Sequence, residues 1–296
     1  MKLRILKENI YKWGFTVLAF SSLVFLAGII FTLFKEGFPV LKEIGFLNFV
    51  FGKNWYPTFE IPEFGILPLI LASAWVTVGA MLISVPLGVG SALYLHEIAG
   101  EKQRAILKPV IELLAGIPSI VFGFFGMVIV APFIQKLFDL PIGLNAFSAS
   151  LILGVMAVPT ISSMTEDALS YVPNSFKEAS YAIGANRWQT LTQVIIPAAG
   201  SGISTAIILG MSRAVGETMT VLMVSGGAAV IPSSFFDPVR PMTSTIAAEM
   251  GEAVVGGLHY HALFGIGLVL FLITLVFNMA AEYISMRYRI KLGHGR

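Results

Sequence analysis

Glu178-Ala179-Ser180-Tyr181-Ala182-Ile183-Gly184, with Pro197 thirteen residues further on, is a polar stretch punctuated by turn residues and set between long apolar runs. Those flanking runs decide the fold class, and the polar stretch decides what kind of membrane protein they build. A chain dominated by apolar segments keeps such a stretch at an interface when something outside the membrane reads it.

Only 12% of the 296 residues are charged, while 56% are apolar. A soluble domain carries about 25% charged residues, so this chain lacks the polar surface to cover a globule in water. Crossing the hydrocarbon core takes roughly 20 apolar residues as a helix. Six runs qualify: Trp13–Phe34, Phe64–Leu95, Leu107–Phe133, Ala146–Thr165, Gly202–Val224 and Ala262–Ile284. The first follows a basic N-terminus but is too long for a signal-peptide core, and is read as an uncleaved anchor. The expectation is an all-α, polytopic membrane protein with six transmembrane helices. The net charge of +2 and the lack of a Lys/Arg block with interleaved aromatics speak against nucleic acid. Without cysteine there is no disulfide, thiolate nucleophile or Cys-bound metal.

Lys and Arg placement orients the spans. One side receives thirteen: Lys2, Arg4, Lys7, Lys12, Lys102, Arg104, Lys108, Lys177, Arg187, Arg287, Arg289, Lys291 and Arg296. The other receives five: Lys35, Lys42, Lys53, Lys136 and Arg240. Both termini and the Glu178 stretch are therefore expected in the cytoplasm. Two longer segments, Lys35–Glu63 and Ser225–His261, are rich in Gly, Pro and aromatics and are expected to cap the outer mouth.

Pro173 and Asn174 stop the preceding element. Ser175 with Glu178 three residues on fits a capping box, and Asn186 with Gln189 fits a second. Gly184 supplies the backbone freedom a helix C-terminus needs. The spacing predicts a helix over 176–183, a turn at Gly184, and a second helix reaching Pro197. On these grounds alone Glu178 is a cap and Gly184 a terminator.

Glu178, Ala179, Gly184 and Pro197 also resemble, in register, the EAA loop of bacterial ABC-importer permeases, the surface that docks on an ATPase subunit. Ser180, Val194 and Ile196 depart from the family pattern. Ala115-Gly116-Ile117-Pro118-Ser119-Ile120-Val121-Phe122-Gly123, Arg213-Ala214-Val215-Gly216-Glu217-Thr218-Met219 and the stretch Met242 to Glu252 resemble PstC-type permeases of phosphate importers. The resemblance covers most of the chain after about residue 65. It implies a type I ABC importer permease fold in a bacterial or archaeal plasma membrane. Its partners would be a second, PstA-like permease, two PstB-like ATPase subunits and an extracytoplasmic PstS-like phosphate-binding protein. ATP would be used by the ATPase partner, with no cofactor bound by this chain. The division that follows is an anchor helix with an outer segment (1–63), a permease domain (64–284) carrying the coupling loop (173–197), and a basic tail (285–296).

Arg213 and Glu217 fall inside the fifth apolar run, where ionisable groups are costly and face a partner or a water-filled path. Their i, i+4 spacing puts them on one helix face within mutual reach. They read either as a self-neutralising pair or as polar stations on a substrate path with Thr218 and Ser119. A guanidinium grips two oxyanion oxygens at once, and an ionised Glu217 accepts a hydrogen bond from protonated phosphate but none from sulfate. Gly116-Ile117-Pro118-Ser119 reads either as a proline kink or as the broken helix with which transporters meet anions. His259 and His261 suggest a metal site only superficially, because His96 and His294 are expected on the opposite side. Gly79, Gly88, Gly90, Ser201, Gly202 and Gly210 are expected to allow close helix packing. No nucleophile–base arrangement and no Walker-type loop is legible, so ATP hydrolysis by this chain is not expected. A permease for molybdate or sulfate is the competing reading. A passive channel would have no use for the Glu178–Pro197 stretch.

Overall fold

The computed structural model describes residues 2–291, with side chains over 11–280 and at Glu282, Tyr283 and Met286. His294 and Arg296 lie outside the described residues, as do the side chains of Lys2, Arg4, Lys7, Arg287, Arg289 and Lys291.

Helix α1 (Lys2–Ile44) leads to a short α2 (Phe46–Phe51) and a two-residue hairpin, β1 (Trp55–Tyr56) against β2 (Glu63–Phe64). Next come α3 (Leu67–Leu93), extended by a π turn at Tyr94–Ile98, and α4 (Glu101–Gly116). Beyond Ile117-Pro118 run α5 (Ser119–Phe125), a π turn at Gly126–Val130 and α6 (Ala131–Leu137). Helix α7 (Ala146–Ser170) precedes α8 (Asn174–Ala182) and α9 (Arg187–Thr190), which passes through a π turn, Leu191–Ile195, into α10 (Ile196–Ala198). The chain closes with α11 (Gly200–Gly216), α12 (Met219–Val224), α13 (Met242–Glu249) and α14 (Leu258–Lys291). Apart from the hairpin and one isolated bridge, the described residues form helices and connections.

Among the described residues, five helical stretches are long and apolar enough to cross a membrane: Tyr11–Ile44, Leu67–Ile98, Ser119–Leu137, Ala146–Ser170 and Leu258–Ala280. The pair Arg187–Ala198 and Gly200–Gly216, bent by 69°, makes a sixth if it is counted as one span. Three predicted spans need correction. The first continues as helix through Pro39 to Ile44 and ends at Gly45, whose φ is +87°. Its last turns pack on α14, with Val40 fully buried and Gly37 against the Phe264–Gly265 backbone. The third span does not run unbroken from Leu107. Its apolar part begins at Ser119, and α4 before it has no buried residue. The fifth stops being helical at Gly216 and resumes at Met219.

The core is layered along α3. At its N-terminal end Trp55, Phe49, Ile66, Leu69, Leu263 and Ile266 form a cap. In the middle Ala72, Val76, Ala80, Ala149, Leu153, Ala214 and Val221 pack closely because they are small or branched. At the C-terminal end Ala92, Leu169, Leu191, Ile195 and Ile203 join the α8–α10 region to the bundle. Ile161 of α7 is clamped between two glycines. A Cβ at Gly88 or Gly210 would come within 2.7 or 2.5 Å of its side chain. The expected packing role fails at Gly90, where a Cβ would meet nothing within 4 Å.

The cap holds the two expected segments together through Glu249. Its carboxylate accepts from Trp55 Nε1 (3.1 Å) and Arg240 Nη1 (2.6 Å) and meets His259 Nε2 at 2.9 Å. His261 Nδ1 lies 2.9 Å from the Glu36 carbonyl. In the 231–238 loop the Asp237 carboxylate accepts from the Ser233 hydroxyl and from the Ser233 and Ser234 amides. The Ser233 hydrogen bonds above all hold its pKa below the usual carboxylate range.

Candidate functional site

Two sites emerge at different levels of the bundle. The first is the helical hairpin α8–α10. Helix α8 begins two residues earlier than the capping box requires. Pro173 occupies the N-cap, so the predicted Ser175–Glu178 box does not form. The second box does form: the Asn186 side chain accepts from the Gln189 amide at 2.8 Å, and Gln189 Oε1 accepts from the Asn186 amide at 2.9 Å. Gly184 sits at φ +88°, a left-handed conformation that costs an L side chain. The Gly184 amide bonds the Tyr181 carbonyl and the Ala185 amide bonds that of Ser180, the reciprocal pattern of a Schellman cap. Buried Ser180 and Thr190 share a hydroxyl–hydroxyl bond of 2.9 Å that fastens the two arms.

This hairpin is hydrogen-bonded across its turn and exposed on its outer surface. Glu178, Ala179, Gly184 and Pro197 are all exposed. Phe176, Tyr181, Ile183 and Trp188 surround them as exposed apolar side chains, Ile183 at 86%. The second arm bends through Ala199 straight into α11.

The second site lies where two helices break side by side. Helix α11 ends at Gly216, Glu217 is extended, and α12 starts after Thr218. The broken ends find partners: the Glu217 carbonyl accepts from Thr243 Oγ1 at 2.7 Å, and Glu217 Oε1 accepts from the Thr220 amide at 3.3 Å. Thr218 Oγ1 donates to the Gly216 carbonyl at 3.3 Å. Thr220 Oγ1 donates to the Ser119 carbonyl at 3.0 Å, tying this break to the one at Ile117-Pro118. A Cβ at Gly123 would reach the Thr220 Cα at 3.2 Å, so α5 and α12 lie almost backbone to backbone.

The expected one-face pairing of Arg213 with Glu217 does not occur. Glu217 has left the helix, and no ion pair joins them among the described residues. Arg213 is exposed and reaches Thr160 Oγ1 of α7 at 3.4 Å. Glu217, Thr218 and Ser119 thus gather at the paired break, while Arg213 sits one turn before it. Thr160 and Thr220 are not singled out by the sequence, and Thr243 is seen there only as part of the Met242–Glu252 stretch. Their signal was there as hydroxyls in otherwise apolar runs.

Paired broken spans lined by hydroxyls and the Arg213 and Glu217 charges, with an exposed hairpin at one end, are the architecture of a multi-pass helical membrane protein. Residues 84–290 match the family described as binding-protein-dependent transport system inner membrane component, and the chain belongs to that family. It is 40% identical over 244 residues to the probable ABC transporter permease protein YqgH of Bacillus subtilis, covering 82% of this chain and 79% of that one. It is 36% identical over 294 residues to the phosphate transport system permease protein PstC of Mesorhizobium japonicum, covering 93% and 89%. The fold matches a subunit of a bacterial alginate ABC transporter at TM-score 0.66, with 13% identity over 95% of this chain and 96% of that one. A MetNI methionine ABC transporter chain matches at 0.57, with 21% identity over 76% and 94%. The architecture is that of type I ABC importer permeases.

Proposed function

We propose that this chain is the membrane subunit through which an ATP-driven importer moves inorganic phosphate. The observation that carries the proposal is the exposed α8–α10 hairpin, stiffened by its Schellman cap and bent directly into the helix that bears Arg213. The names of the PstC relatives support phosphate as the cargo. The hairpin docks on a PstB-like ATPase, two copies of which supply ATP hydrolysis, and this chain binds no nucleotide or other cofactor itself. Both termini and the hairpin face the cytoplasm, as the uneven Lys and Arg distribution requires.

Arg213 argues for a second permease. An exposed guanidinium on a spanning helix is untenable against lipid, so its face borders a water-lined path shared with a PstA-like partner. A PstS-like binding protein delivers the anion from the capped side. Arg213 grips two phosphate oxygens, Ser119 and Thr218 lend hydroxyls, and Glu217 accepts the hydrogen bond of the protonated oxyanion. Docking and release of the hairpin then alternate access, provided its contacts differ between the two states.

The test is reconstitution in proteoliposomes with the two permeases, the ATPase and the binding protein. Phosphate uptake should depend on ATP and exceed sulfate and molybdate uptake, and Glu217→Gln should narrow the margin over sulfate. Preferential molybdate or sulfate uptake by the unaltered complex would favour the competing oxyanion reading. An unchanged anion ratio in Glu217→Gln would remove Glu217 from the mechanism.

A further inference from the structure

The hairpin is joined covalently to α7 and α11 only, yet a charged tie links it to a third span. Lys177, in the first turns of α8, places Nζ 2.6 Å from Glu97 Oε1, and both side chains are less than a quarter exposed. Among the described residues this is the ion pair that joins α8 to another element. Glu97 lies in the π turn that ends α3, just before the Ala99-Gly100 elbow into α4. His96 stands beside it, with Nε2 3.5 Å from the same carboxylate oxygen, and also feels Lys177, Arg104 and Glu166 electrostatically.

Across the elbow, α4 buries none of its own residues. It grips α7 through charge instead. Arg104 Nη2 lies 2.5 Å from one oxygen of Glu166 and Lys108 Nζ 3.1 Å from the other, and Glu166 is only 2% exposed. A helix of this length spans about 24 Å. Its far end is the Ile117-Pro118 break, where Ser119 meets Thr220. Hairpin, elbow, pivot and paired break therefore form one physical sequence.

We propose that the Glu97–Lys177 ion pair carries the motion of the docking hairpin into the α3–α4 elbow, and that α4, pivoting on Glu166, delivers it to the paired break. Lys177 and Glu97 are positioning residues; neither needs to touch the anion. This rests on the ATPase-docking reading above and adds a route that bypasses the covalent connection through α11.

The experiment measures phosphate moved per ATP hydrolysed by the full complex in proteoliposomes, together with ATPase co-purification. Variants are Lys177→Glu, Glu97→Lys, the double exchange, and Lys177→Met, which removes the charge at similar volume. Each single variant should retain ATPase and hydrolyse ATP, while the ratio falls about ten-fold, and the double exchange should recover it to within about two-fold. Loss of a purely structural contact would lower the amount of complex, not this ratio. Wild-type ratios in Lys177→Met, or a double exchange no better than the singles, would overturn the proposal. Single variants that lose the ATPase, with no return in the double exchange, would overturn it as well. An unaltered complex without ATP-driven uptake would instead sink the docking reading, and this route with it.

Discussion

Replacing Gly184 isolates the stiffness of the hairpin from everything it contacts. At φ +88° this residue occupies the left-handed region, yet a Cβ built there meets no atom within 4 Å. Gly184→Ala therefore adds conformational strain and no collision within this chain. That strain amounts to about 1–2 kcal/mol for an L residue, a factor of about five to thirty in an opening equilibrium. The amides that close the Schellman cap report it directly, since the Ala185 and Gly184 N–H groups bond Ser180 and Tyr181. Hydrogen exchange on the purified chain should show their protection falling by that factor in Gly184→Ala. Asparagine enters the left-handed region more readily, so Gly184→Asn should lose less despite its larger side chain. Equal protection in all three proteins, or a greater loss with Asn than with Ala, would refute the argument from backbone strain.

Three further outcomes follow from the geometry. Gly210→Ala puts a Cβ 2.5 Å from Ile161 and should cost about 1–3 kcal/mol by overpacking, whereas Gly90→Ala faces open space and should be neutral or stabilising; thermal unfolding in detergent distinguishes them. Thr220→Val removes the hydrogen bond to the Ser119 carbonyl and should destabilise by about 1 kcal/mol, read in the same unfolding assay, with no change expected if the two breaks are independent. The depressed Asp237 pKa means that its carboxylate stabilises the 231–238 loop fully above the unfolded value of about 3.9, and that this contribution is lost as pH falls through the lower folded value. Fluorescence of Trp75, whose ring stacks edgewise on Phe235 of that loop, should follow the acid transition, and Asp237→Asn should abolish it.

The six apolar runs were legible because hydropathy over some twenty residues is a local sum. The Asn186–Gln189 box and the Gly184 turn were legible for the same reason, each being settled within four or five residues. The Ser175–Glu178 box fits the sequence but does not form, because Pro173 takes the N-cap and shifts the helix start by two residues. The break at Glu217 was invisible because its cause is tertiary: Thr243 satisfies the freed carbonyl from 26 residues away. Arg104 and Glu166, 62 residues apart, gave no sign in sequence of being partners. The hydroxyls that join the two breaks could be seen only as polar exceptions in apolar surroundings, without indication of what they would meet.

The most direct measurement compares phosphate accumulation by proteoliposomes holding the complete complex with accumulation by a complex in which residues 174–186 are replaced by a flexible linker. Accumulation should need ATP and should vanish when the linker replaces the hairpin. Equal accumulation by both, or uptake that persists with the ATPase stripped away, would contradict the docking reading.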